Sequence, residues 1–192
     1  NSIGYNTTKI TDSGWHLNFN GAANQSETDS AIAKGNEYDG SKNYQVNLNG
    51  VKWINDNIKL KNTFYYRDTK SDYDSSATAE ESVTADNKMY ALQTGIEQKN
   101  KDSMNNLIFH YHNYDRKYYV QGKKDKYYSE SFVAKAERTV VTNDKLSYGF
   151  GSEYKYDWGH YLTKTFTSQT RGHLENFGLF ANVGYKFNSN QV

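Results

Sequence analysis

A strict alternation of apolar and polar residues runs along most of this chain and strongly favours a β-sheet fold. The clearest stretch is LSYGFGSEYKYDW, residues 146–158, in which the even positions are mostly apolar or aromatic and the odd positions small or charged. Because successive side chains of a strand point to opposite faces, this stretch predicts a strand with one apolar and one polar face. No helical period competes with it for long anywhere in the chain.

Nine segments alternate in this way, and together they predict an all-β protein. They begin near Ile3, Trp15, Tyr44, Ile58, Tyr90, Leu107, Tyr128, Leu146 and Phe177. The segments run to about a dozen residues, whereas strands of soluble proteins average about five or six. A strand that crosses a membrane needs about 9–11 residues. The chain contains no proline, which suits long, uninterrupted hydrogen-bond ladders.

Two kinds of connection alternate between the strands. Short polar turns are found at residues 11–14, 55–57, 100–103 and 142–145. Longer polar segments cover residues 26–42, 69–87, 120–126 and 159–174. Short turns at one end and long loops at the other are typical of outer-membrane barrels. We therefore expect an antiparallel up-and-down transmembrane β-barrel segment of about nine long strands, with short periplasmic turns and long outer loops.

The composition agrees with a membrane barrel. Mean hydropathy is low, at −0.99, but the 18 Tyr, 9 Phe and 3 Trp argue against a disordered chain. A soluble antiparallel sandwich stays open as an alternative, although its strands are shorter and its core is richer in aliphatic residues. The net charge of +1 gives no sign of a nucleic-acid partner. The absence of cysteine excludes disulfides, thiolate metal sites and cysteine nucleophiles.

Four passages resemble the barrel of TonB-dependent outer-membrane receptors, closest in texture to the cobalamin and siderophore receptor group. These passages are LNGVKWINDNIKLKNTFYYRDTKSDYD, DNKMYALQTGIEQK, FHYHNYDR and YGFGSEYKYDWG. The resemblance implies a bacterial outer-membrane location, contact with membrane lipid, and a plug domain and TonB as partners in the full-length protein. It implies a receptor that binds and imports a scarce nutrient such as a siderophore–iron complex or cobalamin, and no enzyme activity.

The same resemblance leads us to expect that residues 1–192 form an internal part of such a barrel. Members of the family have a signal peptide, a plug and a barrel of about 22 strands. We expect this chain to lack the plug, the signal peptide and the terminal strand, because nothing like a plug precedes Ile3 and no terminal aromatic follows NSNQV. A passive porin or channel and an outer-membrane enzyme stay open as alternatives.

The alternation assigns the strand residues to two environments. We expect the following side chains to face lipid: Phe64, Leu107, Phe109, Leu146, Tyr148, Phe150, Phe177, Leu179 and Val183. We expect these to face a wet lumen: Lys59, Lys61, Arg67, His110, His112, Glu153, Lys155 and Asp157. Mixed charges on a lumen wall line a hydrated passage or contact a plug. Rings at the membrane boundary form girdles, a position that we expect for Trp15, Trp53 and Trp158.

Clustered carboxylates raise the question of a metal site. Asp68, Asp72 and Asp74 open the second long polar segment, where they could hold calcium together with backbone carbonyls and water. The spacing lacks the glycine and the distal glutamate of an EF-hand, so a solvated loop is the alternative. His110 and His112 could share a metal ion on one strand face, but no third ligand follows at a fixed spacing. No other cofactor is expected.

Little in the sequence points to catalysis. No GxSxG, HExxH, phosphate-loop or CxxC motif occurs. His160 and His173, in the last long polar segment, are the residues that an outer-membrane hydrolase could recruit.

Overall fold

The computed structural model describes residues 1–29, 38–76, 79–120, 123–164 and 167–187. The side chains at 28–29, 38, 73–76, 79–82 and 120 lie outside this description. The strands are β1 Ser2–Ile10, β2 Trp15–Asp29, β3 Tyr38–Asn55, β4 Ile58–Ser76, β5 Ala79–Lys99, β6 Ser103–Val120, β7 Lys123–Val141, β8 Leu146–Thr163 and β9 Ser168–Tyr185.

These nine strands form a single sheet in chain order, and each strand pairs antiparallel with the next. The predicted all-β, up-and-down architecture is therefore confirmed. Within the described part of the chain, no helix is long and apolar enough to cross a membrane.

The strands extend far into the segments that the sequence assigns to outer loops. β4 continues to Ser76 and β5 starts at Ala79, although residues 69–87 read as a loop. Across this extension Asp72 lies opposite Thr84 and Ser71 opposite Ala85. In the sequence, a strand is recognised by its alternating apolar residues, and these residues stop before the strand itself ends. Backbone hydrogen bonding needs no apolar side chains, so the ladder continues beyond that point.

The pairing register brings the apolar residues of successive strands onto one side of the sheet. Phe64 lies opposite Leu92, Leu92 opposite Tyr111, and Tyr111 opposite Phe132. We call this side the apolar face; it includes Leu17, Phe19, Leu48, Phe64, Leu92, Ile96, Leu107, Phe109, Phe132, Phe150, Phe177, Leu179 and Val183. The polar face is the other side, with Asn18, Asn49, Thr63, Gln93, His110, Val133 and Lys155 in one row.

The apolar face is not covered by any other part of the described chain. Phe150 is 49% exposed and Leu179 77% exposed. Among the described side chains, the buried hydrophobic residues are Val83 and Ala85 alone. A sheet that exposes so continuous an apolar surface marks a site of contact with lipid or another protein.

Side chains of the short turns hold the hairpins closed. Asn55 Oδ1 accepts hydrogen bonds from the backbone amides of Asn57 and Ile58, both at 2.9 Å. Asn143 Oδ1 does the same for Lys145 and Leu146, both at 3.0 Å. Gly14 closes the β1–β2 turn at φ 80°, a conformation that glycine adopts without steric cost. The short turns predicted from the sequence are therefore built from local polar chemistry.

Candidate functional site

The polar face of the first strands is a wall of amide and hydroxyl side chains. Asn18 Nδ2 donates to Thr8 Oγ1 at 3.0 Å, and Thr63 Oγ1 donates to Asn49 Oδ1 at 3.0 Å. These bonds join neighbouring strands across the face. The site residues predicted from the sequence do not include this wall, although the asparagines at alternate positions of β2 and β3 indicate it.

A cavity of about 320 Å³ opens on the polar face between β4, β5 and β6. Each of the three strands contributes two lining residues, which are Arg67, Thr69, Asn87, Met89, Tyr114 and Arg116. The volume is at the lower end of the range of small-molecule sites.

Neutral groups hold the cavity side chains in place. Arg67 Nε donates to Asn43 Oδ1 at 2.8 Å and to Thr69 Oγ1 at 3.2 Å. Tyr114 OH donates to Asn87 Oδ1 at 2.8 Å. Arg67 therefore keeps its positive charge without a carboxylate partner in this network.

Two carboxylates near these strands have partners of their own. Neither Arg67 nor Arg116 is among the ion pairs of the described residues. Asp115 lies on the apolar face and pairs with Lys117 at 3.7 Å. On the polar face, Asp125 lies opposite Tyr118 and accepts a hydrogen bond from a backbone amide. Two guanidinium groups at one small cavity favour an anionic occupant.

The eight residues predicted to face the lumen all lie on the polar face, but they form separate groups. Lys59 and Lys61 both contact Glu97, at 3.2 and 2.5 Å. Lys155 pairs with Asp157 at 2.9 Å on β8. Of the eight, the cavity includes Arg67 alone.

The two predicted histidines stand side by side on β6. The rings of His110 and His112 have their centroids 5.6 Å apart. His110 Nδ1 is buried and has no hydrogen-bond partner among the described residues. The described residues contain no group of three or more His, Asp or Glu side chains arranged for a metal ion.

Asp68 and Asp72, from the predicted calcium loop, lie on a paired strand and already have protein partners. Asp68 pairs with Lys88 at 3.2 Å, and this hydrogen bond raises the pKa of the Lys88 ammonium above its ordinary value. Asp72 Oδ1 accepts from Thr84 Oγ1 at 2.6 Å. The side chain of Asp74 lies outside the described residues, so the calcium hypothesis stays a prediction.

The nine residues predicted to face lipid share the apolar face, and the tryptophans divide between the two faces. Trp15 and Trp158 lie on the apolar face. Trp53 departs from the expected girdle, because its position in β3 puts it on the polar face opposite Lys59. The Lys59 ammonium lies 4.6 Å from the centre of its ring, a cation–π contact.

The two histidines considered for hydrolysis lie at the outer end of the apolar face. His160 Nε2 is 2.9 Å from the side-chain nitrogen of Gln169, or from its oxygen if that amide is flipped. The ring of His173 stacks on Tyr156 with centroids 6.2 Å apart. These contacts are those of an aromatic and polar boundary layer and not of an activated nucleophile.

Comparison with known proteins identifies the architecture. No protein-family model matches the sequence, and no curated protein matches it. Among solved structures, the outer membrane transporter YddB from Escherichia coli superposes with a TM-score of 0.76 at 10% identity, covering 95% of this chain and 31% of that one. The ferric yersiniabactin uptake receptor FyuA from Yersinia pestis gives a TM-score of 0.59 at 12% identity, covering 93% of this chain and 33% of that one.

The chain thus spans about a third of the length of each structure that it matches. At such low identity the likeness establishes the fold, which is the fold implied by the resemblance in the sequence. Over nearly its whole length, this chain has the fold of part of an outer-membrane transporter barrel.

Proposed function

We propose that the chain forms part of the wall of a TonB-dependent receptor in the bacterial outer membrane, which imports a scarce anionic nutrient such as a siderophore–iron complex. The observation that carries this proposal is a sheet with one uncovered apolar face and, on its other face, a cavity with two arginines that are in none of the ion pairs of the described residues.

The height of the apolar face fits a bilayer. On β8 it runs from Tyr148 to Trp158, about 33 Å at about 3.3 Å per residue. With the tilt of about 35–45° usual in such barrels, this corresponds to a height of about 25 Å, the height of a barrel's apolar band. Tyr66, Tyr90 and Trp158 lie in one row at its outer limit, where amphipathic rings suit the interface.

The polar face would then line the lumen and contact a plug. Its amide and hydroxyl wall and its paired charges need water or polar partners, which lipid does not offer. The buried Nδ1 of His110 fits a polar partner supplied by a plug.

The cavity favours one of the two nutrient classes that the resemblance implies. Arg67 and Arg116 suit the carboxylate or phenolate oxygens of a ferric chelate, to which guanidinium groups donate paired hydrogen bonds. Cobalamin, whose periphery is mostly neutral amides, would interact less favourably with the two positive charges of the cavity. The likeness to a ferric chelate uptake receptor supports the same choice.

Substitution of the two arginines in the full-length receptor tests the ligand site. We expect Arg67→Gln and Arg116→Gln each to weaken uptake of a ferric chelate by about tenfold, the effect of losing a charge-assisted hydrogen bond. Growth of iron-starved cells on ferric hydroxamates, catecholates and phenolates, with cyanocobalamin uptake in parallel, provides the measurement. Lys70→Gln and Lys117→Gln are matched controls, because these lysines lie on the apolar face of the same strands.

Two outcomes would contradict the proposal. If the double arginine variant imports every probe as well as the wild type, the cavity is not a ligand site. If uptake persists in a host without TonB, the chain belongs to a passive channel. An enzyme would instead require that His160→Ala or His173→Ala abolish a hydrolysis that the wild type performs.

A further inference from the structure

A groove of about 560 Å³ crosses the apolar face of β5 to β9. Its floor is made by the small residues Ala136 and Ser152, which lie opposite each other on β7 and β8. Its walls are the larger apolar side chains Ile96, Leu107, Phe150 and Leu179. The groove is therefore a local indentation in a surface that otherwise carries large side chains.

One end of the groove carries an arginine. Arg138 lies between Asn105 and Phe150, on the side towards the short turns, and its side chain is exposed. It is in none of the ion pairs of the described residues. The neighbouring glutamate, Glu137, lies on the polar face and pairs with Lys135 at 3.4 Å. Arg138 thus presents an uncompensated positive charge within an apolar surface.

Charge is distributed unevenly along the apolar face. Near the short turns, its charged strand residues are all basic: Lys9, Lys52 and Arg138. Its described acidic residues lie towards the other end: Glu27, Asp68, Asp72, Asp86, Asp115, Glu130 and Glu175. Lys52 is covered by the ring of Trp15, with 5.9 Å from its ammonium to the ring centre. Arg138 differs because it borders an open groove.

We propose that this groove binds one anionic glycerophospholipid of the inner leaflet, a site that rests on the membrane orientation proposed above. The phosphate would accept paired hydrogen bonds from the Arg138 guanidinium. One acyl chain would lie over Ala136 and Ser152, between Leu107 and Phe150. An arginine on the lipid side of a barrel is costly in proportion to its depth, so a phosphate drawn to it is a favourable partner.

The residues that line the groove favour a lipid over another protein as its occupant. A protein segment would need partners for its own backbone amides and carbonyls. The polar side chains Gln98 and Asn105 also line the groove, but they hydrogen-bond to each other, with Asn105 Nδ2 donating to Gln98 Oε1 at 3.2 Å. A lipid needs an apolar groove for its acyl chain and a cation at one end. Both features are present here.

Native mass spectrometry of the full-length receptor in non-ionic detergent tests the site with phosphatidylglycerol as the probe. We expect one bound lipid, with affinity about tenfold weaker for Arg138→Gln. Ala136→Phe, which fills the groove and keeps the arginine, should remove the bound lipid as well. Arg171→Gln is the matched control, since Arg171 lies on the same face at the opposite end.

Several outcomes would contradict the proposed lipid site. Undiminished lipid binding in Arg138→Gln or Ala136→Phe overturns the site, and so does an equal loss in Arg171→Gln. Full competition by inorganic phosphate would mean a simple anion site and would also overturn it. Failure of the wild-type receptor to insert into the outer membrane would count against the proposed function instead. Insertion is measured in its own experiment, by the heat-modifiable electrophoretic mobility of the receptor.

Discussion

At the scale of single residues, Glu97 is the carboxylate that holds two cations on the polar face. Its two oxygens contact Lys59 at 3.2 Å and Lys61 at 2.5 Å, and its side chain is 19% exposed. The three residues therefore form one network, in which both positive charges depend on a single negative group.

Glu97→Gln should lower the free energy of unfolding of the full-length receptor by about 1 kcal/mol, because it leaves both lysines facing each other without a counter-charge. Urea titration of the protein in detergent micelles measures the change. Lys61→Gln is the control: Glu97 keeps Lys59 in that variant, so the loss should be smaller. An equal loss in the two variants would contradict the shared network.

The sequence predicts the face of the sheet on which a residue lies better than it predicts which residues of different strands contact each other. Strand parity is a local property, so the faces of Phe64, Arg67 and Lys155 follow from alternation alone. The cavity of Arg67 and Arg116 depends on the register between three strands, which no single segment contains. The face of Trp53 likewise follows from its odd position in β3, which places it on the polar face opposite Lys59 although its ring suits a membrane boundary.

At the scale of strands, Gly151 permits the close packing of β8 against its neighbours. A Cβ at this position would overlap the carbonyl oxygen of Ala136 and lie 2.5 Å from Phe180 Cζ. The Phe180 ring lies over this gap on the polar face, with the Lys135 ammonium 4.8 Å from its centre. Backbone cannot shift here without disturbing the ladder to β7.

We expect Gly151→Ala to destabilise the full-length receptor by about 1–3 kcal/mol through overpacking. Gly178→Ala is the matched control on the same face, since no atom lies within 4 Å of its added Cβ. Unfolding midpoints in urea compare the two. A larger effect at Gly178 would show that the packing around β8 has been misjudged.

The length of the strands is the part of the fold that the sequence does not predict. Alternation locates β4 as far as Tyr66, and the polar run after it resembles a loop. The structure pairs that run instead, with Lys70 opposite Asp86 and Asp72 opposite Thr84. Such cross-strand pairs are favourable in a ladder, but they leave no periodic hydrophobic signal.

At the scale of the whole molecule, the sheet has two unpaired edges. Among the residues that the structure describes, β1 pairs with β2 alone and β9 with β8 alone. Every residue of β1 is exposed, as are most of β9. In the bilayer proposed above, unpaired backbone amides and carbonyls along such edges are too costly to persist, so both edges would need to pair with further strands.

The 192-residue chain produced alone should therefore not form a stable monomer in detergent or in vesicles. We expect mixed oligomers without heat-modifiable mobility, because the edges will pair between copies. Size-exclusion chromatography with light scattering measures the state, and the full-length receptor serves as the control. A monodisperse, folded monomer would contradict the need for edge partners and would favour a soluble β domain.

The paired extension of β4 and β5 continues far beyond the apolar part of the sheet. From Tyr66 to Ser76, β4 continues at about 3.3 Å per residue, so its backbone extends about 33 Å along the strand beyond the row of Tyr66, Tyr90 and Trp158. With the strand tilt of about 35–45° usual in such barrels, this corresponds to a height of about 25 Å, close to that of the apolar band itself. In the membrane orientation proposed above, a large particle that approaches the cell would contact this paired ribbon before it could contact lipid.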